Sequence, residues 1–211
     1  MIADWGLRRF GRALWRIPER LLHPLRRRNA LRRLRGRPLP RAVLVVCRGN
    51  IYRSPYAAGL LARALSRDEQ TAIRVESGGF LGWGRPCPPM AVEVAAKGGL
   101  DLSRHRSNQV VPTGVFTADL IVAVDPQEAR AVREVFGSKA GDVLILGDLD
   151  PEPIDTRGIQ DPYNQSREVL ERSYARIDRC VRQLVQAVAD GVERTRPSRD
   201  AVPLTQRGLT T

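Results

Sequence analysis

The chain has 211 residues, 42% of them hydrophobic, which is enough for one catalytic-size domain with residues left over for extensions. Its three cysteines have no paired or metal-ligand spacing, which argues against a disulfide framework and a zinc ribbon, and no stretch reaches the roughly 18 apolar residues of a membrane span. The net charge of +12 comes mostly from residues 1–40, which hold twelve arginines and two acidic residues. We therefore expect a cytoplasmic protein, either in solution or peripheral at the inner face of a membrane.

Residues 1–40 show the pattern of a basic amphipathic arm and a linker. On an ideal helical wheel, an apolar arc lies nearly opposite a cluster of arginines. The arc consists of Leu7, Phe10, Leu14, Ile17 and Leu21, and the cluster of Arg8, Arg9, Arg12, Arg16 and Arg20. Pro18 and Pro24 are predicted to interrupt the helix, and residues 34–40 to form the linker. The pattern favours an anionic membrane surface as partner over a solvated disordered arm. Nucleic acid is the competing partner, which we do not expect because the rest of the chain is nearly neutral.

Residues 41–190 alternate between short apolar runs and amphipathic runs, as in a fold built from βαβ units. Strands are predicted at residues 42–47, 73–77, 120–125 and 143–147, and helices from about residue 54, over 88–97, over 127–136 and over 170–188. The sequence thus predicts a single α/β domain with a four-stranded parallel sheet flanked by helices. Residues 191–211 are polar and are predicted to form a disordered tail.

The segment after the first predicted strand carries the residues of a nucleophilic phosphate site. It reads Cys-Arg-Gly-Asn-Ile-Tyr-Arg-Ser-Pro over residues 47–55. Backbone N–H groups of a loop that opens a helix suit a phosphate dianion, and they favour the thiolate of Cys47 as a nucleophile. Arg53 can hold two phosphate oxygens with its planar fork, and the Ser54 hydroxyl can donate to the sulfur. We predict a phosphate-binding loop after the first strand, formed by Arg48, Gly49, Asn50, Ile51, Tyr52 and Ser54 around Cys47 and Arg53.

Residues 45–55 resemble the signature of the low-molecular-weight protein-tyrosine phosphatases. The larger tyrosine phosphatases carry His before the nucleophilic cysteine, whereas this chain has Val46. Further segments match in the order of the family: 76–79 (ESGG), 99–107 (GLDLSRHRS), 119–125 (DLIVAVD) and 161–163 (DPY). The resemblance covers about residues 41–190, so the N-terminal arm and the tail lie outside it.

The resemblance implies a phosphatase that uses no metal and no organic cofactor, and whose substrate is a tyrosine-phosphorylated protein, with a tyrosine kinase as one candidate. It implies that Asp161 is the general acid that protonates the leaving phenolate. It further implies that Ser77 and His105 support the loop by hydrogen bonds with Asn50. The family's substrate cleft corresponds here to Phe80, Trp83 and Tyr163.

Departures from the family pattern bear on the alternatives. Tyr52 stands where most members have a second cysteine, so a disulfide that protects the oxidised nucleophile is not expected. An arsenate reductase of the same fold lacks support because its downstream cysteine pair is missing, and an arginine phosphatase because Ile51 replaces a Thr. A non-catalytic membrane-binding or nucleic-acid-binding protein that acts through its basic arm is the third alternative. It is disfavoured by the presence of Cys47, Arg53 and Asp161 together.

Overall fold

The computed structural model describes residues 4–65, 73–137 and 143–195. Four strands lie in it: β1 (Ala42–Cys47), β2 (Arg74–Gly79), β3 (Leu120–Ala123) and β4 (Val143–Ile145). Six helices accompany them: α1 (Asp4–Arg35), α2 (Arg53–Leu65), α3 (Pro89–Lys97), α4 (Pro112–Thr117), α5 (Pro126–Phe136) and α6 (Arg167–Thr195). A 3₁₀ turn over Leu146–Leu149 follows β4 directly.

The strands form one parallel sheet in the order β2-β1-β3-β4. Strand β1 is central and buried on both faces, which is why its sequence is continuously apolar rather than alternating. Cys47 pairs with Gly79 at the carboxyl edge of the sheet, and β3 ends at the same edge. The predicted α/β fold with four parallel strands is confirmed, and ligands of such sheets bind at this edge.

Helices cover both faces of the sheet. Alternate residues of β1 point to opposite faces, so Val43 and Val45 belong to the larger core while Leu44 and Val46 belong to the smaller one. Helices α2, α3 and α6 pack on the larger core and helices α4 and α5 on the smaller. The short helix α4 has no counterpart in the elements predicted from the sequence.

Helix α1 is continuous through Pro18 and Pro24, so the predicted interruption at these prolines is wrong. A proline inside a helix removes one backbone hydrogen bond, at a cost of about 3 kcal/mol, but burial elsewhere on the helix can offset this cost. Here Ala30, Leu31 and Leu34 are buried in the larger core, where α1 packs against α6 and the 3₁₀ turn. The second half of α1 therefore packs as part of the folded unit, for which the sequence predicts only a surface arm and linker.

The predicted apolar arc and the predicted C-terminal tail lie partly outside the residues that the structure describes. The side chains of residues 4–18, which hold most of the predicted apolar arc, lie outside the described side chains; of the arc only Leu21 is described, and it is 73% exposed. Helix α6 extends to Thr195, so residues 191–195 are helical and not part of a tail. The predicted disorder of residues 196–211 lies outside the described residues. In the ranges that are described, no helix combines the length and the apolar character needed to cross a bilayer.

Candidate active site

The loop between β1 and α2 folds back on the carboxyl end of the sheet. Asn50 takes the left-handed backbone conformation, with φ of 51°, which asparagine tolerates better than most residues. Gly79 lies against this turn, and a Cβ atom there would come within 2.9 Å of the Asn50 backbone nitrogen. The close approach of β2 to the loop therefore requires glycine at position 79.

Donors converge on the sulfur of Cys47, which is 2% exposed at the end of β1. The Asn50 backbone N–H donates to Sγ at 3.2 Å, and the Ser54 hydroxyl lies 3.0 Å from it. Helix α2 begins at Arg53, so its positive N-terminal end also faces the loop. This is the electrostatic environment in which sulfur acts as a nucleophile.

Asn50 holds the loop in place through its side chain and its carbonyl. The Nδ2 group donates to Ser54 Oγ at 2.8 Å and to Ser77 Oγ at 2.9 Å. The Oδ1 atom accepts from the Asn108 backbone N–H at 2.8 Å, and the backbone carbonyl accepts from His105 Nε2 at 2.8 Å. Burial lowers the pKa of His105, so the ring acts here as a neutral donor. Ser77 and His105 thus lie where the resemblance places them.

Arg53 connects the loop to the segment that carries the predicted acid. Its side chain is buried, with Nη1 donating to the Ile159 carbonyl at 3.0 Å and Nη2 donating to Asp161 Oδ2 at 2.5 Å. The two bonds run from different guanidinium nitrogens, so together they fix the plane of the fork, which a lysine ammonium does not have. The structure therefore places Asp161 beside Arg53, at the loop that begins with Cys47.

Glu128 is a buried acid at this site that the sequence analysis does not identify. Its Oε1 lies 3.8 Å from Arg53 Nη2, and its Oε2 is buried without a hydrogen-bond partner among the described residues. Burial raises its pKa to about 7, and the Arg53 charge only partly opposes this shift. An acidic residue in the first turn of the helix after β3 is the signal that would have found it, because that helix starts at the same sheet edge as the loop.

Backbone contacts fix the segment before Asp161. Arg176 of α6 donates from Nη1 to the Gly158 carbonyl at 3.0 Å, and Ser173 donates to the Gln160 carbonyl at 2.9 Å. Beyond it, the Tyr163 backbone N–H donates to Asp161 Oδ1 at 3.2 Å, which forms a turn. The carboxyl group of Asp161 is therefore held beside Arg53 from both directions along the chain.

A cavity of about 320 Å³ opens above the loop. Its lining consists of Cys47, Arg48, Gly49, Asn50, Ile51, Tyr52, Arg53, Leu81, Arg85, Asp161 and Tyr163. Of the predicted cleft residues only Tyr163 is in this lining. Phe80 packs against the smaller core and Trp83 is 77% exposed at a different surface, while Leu81 between them faces the cavity. Arg85 donates to the Gly49 carbonyl at 2.8 Å and is the other lining residue absent from the sequence analysis.

Tyr52 fills the place of the missing second cysteine with a buried ring. Its carbonyl accepts from the Tyr174 hydroxyl at 3.2 Å, and burial raises the pKa of its phenol. Cys87 is also buried, and desolvation raises its pKa to about 12. Its thiol therefore stays protonated at neutral pH and is a poor attacking group for an oxidised Cys47.

The predicted absence of a metal or an organic cofactor stays a prediction. Within residues 4–65, 73–137 and 143–195, no group of three His, Cys, Asp or Glu side chains is placed to hold a metal ion.

The folded domain matches one protein family. A family model described as "Low molecular weight phosphotyrosine protein phosphatase" matches residues 42–194. The probable low molecular weight protein-tyrosine-phosphatase EpsP of Ralstonia solanacearum is 38% identical over 141 residues, which are 67% of this chain and 91% of EpsP. The matching family segment begins with β1, so α1 precedes it.

Solved structures show the same architecture. Vibrio vulnificus Wzb, in complex with benzylphosphonate, matches with a TM-score of 0.61 and 28% identity over 70% of this chain and 98% of that one. The YwlE arginine phosphatase of Geobacillus stearothermophilus matches with a TM-score of 0.65 and 24% identity over 75% of this chain and 99% of its own. At that identity the second comparison shows the fold alone.

Proposed function

The chain belongs to the low molecular weight phosphotyrosine protein phosphatase family and is a phosphatase of that class, and we propose that Cys47, Arg53 and Asp161 carry out its reaction. The observation that supports the proposal is their convergence on one cavity, although Asp161 lies far from the loop in sequence. Substrates of the class are tyrosine-phosphorylated proteins. A tyrosine kinase that phosphorylates itself is the candidate we propose among them.

In the first step the Cys47 sulfur attacks phosphorus. An S–P bond forms while the bond from phosphorus to the phenolic oxygen breaks. Arg53 and the N–H groups of the loop stabilise the negative charge on the three equatorial oxygens. Because the phosphate competes for the guanidinium to which the Asp161 carboxylate is bonded, substrate binding frees that carboxylate, which takes up a proton from the solvent before it acts as an acid.

Asp161 acts twice. Protonated, it donates its proton to the departing phenolic oxygen, so that the product leaves as a neutral tyrosine. As a carboxylate, it then accepts a proton from the water that attacks the phosphocysteine, which breaks the S–P bond and releases inorganic phosphate. The turn that holds Asp161 at the cavity keeps the acid near the bound phosphate in both steps.

The shape of the cavity supports an aryl phosphate as substrate. Tyr52, Tyr163 and Leu81 give apolar surface at its wall, and Cys47 is nearly inaccessible at its floor. A phenyl ring is long enough to bring phosphorus to the buried sulfur, whereas the shorter side chain of phosphoserine is not. The benzylphosphonate complex of the Vibrio vulnificus relative is consistent with this preference.

The test is turnover of matched peptides that carry phosphotyrosine, phosphoserine or phosphoarginine. We expect the phosphotyrosine peptide to be hydrolysed at least 10²-fold faster than the other two, and Cys47→Ser to abolish the reaction while the protein stays folded. Faster release of phosphate from phosphoarginine would favour the arginine phosphatase alternative. Retained activity in Cys47→Ser would remove the sulfur from the mechanism.

We also propose that the protein is cytoplasmic and binds an anionic membrane surface through residues 1–40. Supporting this, Leu21, Leu22 and Leu25 are exposed on α1 among arginines. Exposed apolar side chains flanked by basic residues are typical of helices that lie in the membrane interface. Co-sedimentation of the full chain with vesicles that contain phosphatidylglycerol, at low salt, tests the proposal.

A further inference from the structure

A second cavity, of about 840 Å³, lies between α1 and residues 151–153. It shares no lining residue with the cavity above the catalytic loop. Its basic lining side chains are Arg20, His23, Arg27, Arg28, Arg32 and Arg35, and its one carboxylate is that of Glu152. We call this cavity the α1 groove. Arg20 and Arg35 are already paired with Asp155 and Asp190, and the remaining arginines give the groove a charge that fits an anion.

Two buried nitrogen atoms of the α1 groove have no hydrogen-bond partner among the described residues. His23 is 4% exposed; its Nε2 donates to the Asp150 carbonyl at 2.9 Å, but its Nδ1 bonds to nothing described. Arg27 is bonded through Nη2 to Gln183, whereas its Nε is buried without a partner. Buried polar atoms in folded proteins are normally satisfied. Arg27 Nε is a donor, so it points to a ligand that supplies an oxygen acceptor, whereas His23 Nδ1 is the acceptor nitrogen of its ring and would take a donor.

The exposed face of α1 identifies the kind of ligand. Leu21, Leu25, Arg28 and Arg32 follow one another at spacings of four, three and four residues, so they share one face of the helix, and all four are exposed. The two arginines also line the groove. A surface that contacts the leucines would therefore hold its phosphates beside the groove.

We propose that the α1 groove binds the phosphate of an anionic phospholipid headgroup, with Arg27 and Arg28 as its main contacts. The inference rests on the proposed membrane binding and gives it a specific site. The phosphate oxygens accept from Arg27 Nε and from the Arg28 guanidinium, while Leu21 and Leu25 enter the apolar edge of the bilayer. A soluble phosphopeptide satisfies the arginines equally but leaves the leucines in water, which is why the lipid is favoured.

Vesicle binding by single-charge variants tests the groove. The full chain is titrated with vesicles of phosphatidylglycerol in phosphatidylcholine, and Arg27→Gln and Arg28→Gln are compared with Arg130→Gln, which removes an exposed arginine from α5 on the opposite face of the sheet. We expect each groove variant to lose at least 10-fold in affinity and Arg130→Gln to lose less than 2-fold. Turnover of an aryl phosphate in solution and thermal melting show that each variant is folded.

The outcomes distinguish the proposed phosphate site in the groove from the proposals on membrane binding and on the phosphatase reaction. Equal losses in all three variants would overturn the groove and leave membrane binding by diffuse charge. Failure of the unaltered chain to bind these vesicles at low salt would overturn both, whereas the phosphatase reaction is measured without vesicles and stands or falls separately. A doubly tyrosine-phosphorylated peptide is tested with orthovanadate in the catalytic loop. If its binding is lost in Arg27→Gln while vesicle binding is kept, the groove belongs to the substrate and the lipid proposal is wrong.

Discussion

The catalytic loop and helix α1 are positioned by different kinds of contact. In the loop, the sulfur of Cys47 is bonded to atoms three and seven residues further along the chain. In α1, His23 is bonded to Asp150, which lies 127 positions further along the chain, and Arg27 is bonded to Gln183, which lies 156 positions further along. The contacts to the sulfur are therefore local, although Ser77, His105 and Asn108 also hold the loop through Asn50, whereas the place of α1 depends on residues near the other end of the chain.

This difference explains why the chemistry of the loop can be predicted from the sequence, whereas the packing of α1 cannot. A nucleophile, a guanidinium fork and a helix start within nine residues specify a phosphate site without knowledge of the rest. The basic pattern of α1 describes its solvent-facing character but not which residues face α6. Substitutions in the loop should therefore affect the reaction, and substitutions in the buried face of α1 should affect stability.

The largest effect is expected in the loop, for Arg53→Lys. A lysine ammonium cannot bond to two equatorial phosphate oxygens in the geometry of the planar fork, so we expect kcat/KM for an aryl phosphate to fall by about 10²-fold or more. Arg85→Lys is the control, because Arg85 lines the same cavity but bonds to a backbone carbonyl of the loop. Near-normal turnover in Arg53→Lys would contradict the proposed role of the fork.

In α1, Leu34→Ala is expected to affect stability and not chemistry. Leu34 is 5% exposed in the larger core, so its truncation leaves a cavity and lowers the free energy of unfolding by about 2 to 5 kcal/mol. Leu21→Ala on the same helix, at an exposed position, is expected to change it by less than about 0.5 kcal/mol. Urea denaturation of both variants measures the difference. Two equally small values would mean that α1 is the separate arm that the sequence suggests.

The smallest effect is a pH dependence of stability at Glu128, the buried acid beside Arg53. Burial raises the pKa of this carboxyl from 4.5 to about 7 in the folded protein, so the folded state keeps a proton that the unfolded state has released. That contribution to stability is complete below pH 4.5 and is lost as the pH rises to about 7. The glutamine of Glu128→Gln does not titrate. The free energy of unfolding of this variant, relative to that of the parent protein, should therefore increase by about 2 to 3 kcal/mol as the pH rises across this window.

Denaturation curves at several pH values measure this gain, with Glu134→Gln as the control on the exposed side of the same helix. The gain should level off above pH 7. A difference between Glu128→Gln and the parent that does not change between pH 4.5 and 7 would show that the Glu128 carboxyl is as solvated as one in the unfolded chain.

Different parts of the site were predictable for different reasons. Cys47, Arg53 and Ser54 follow from their own chemistry and spacing, while Ser77, His105 and Asp161 were identified only through the family resemblance. Neither route indicates the Ile159 carbonyl, because a backbone acceptor has no sequence signature, and neither identified Glu128.

The side chains that line the cleft and the face of α1 that is buried could not be predicted from the sequence. The family resemblance predicts Phe80 and Trp83 at the cleft, but the turn directs Leu81 to the cavity instead. The side chain that a loop presents depends on its backbone angles, which no periodicity describes. The packing of Leu31 and Leu34 was hidden for a related reason, since arginines flank them on the same helix and long-range contacts decide which face is buried.

The most direct test of the reaction is the leaving-group dependence of Asp161→Asn. Because this substitution removes the proton donor but leaves Cys47 and Arg53 in place, kcat/KM for phenyl phosphate, whose leaving group is poor, should fall at least 10-fold more than kcat/KM for 4-nitrophenyl phosphate, whose leaving group needs no proton. Equal losses for the two substrates would contradict the role of Asp161 as general acid, because Asp161 would then support the site without protonating the product.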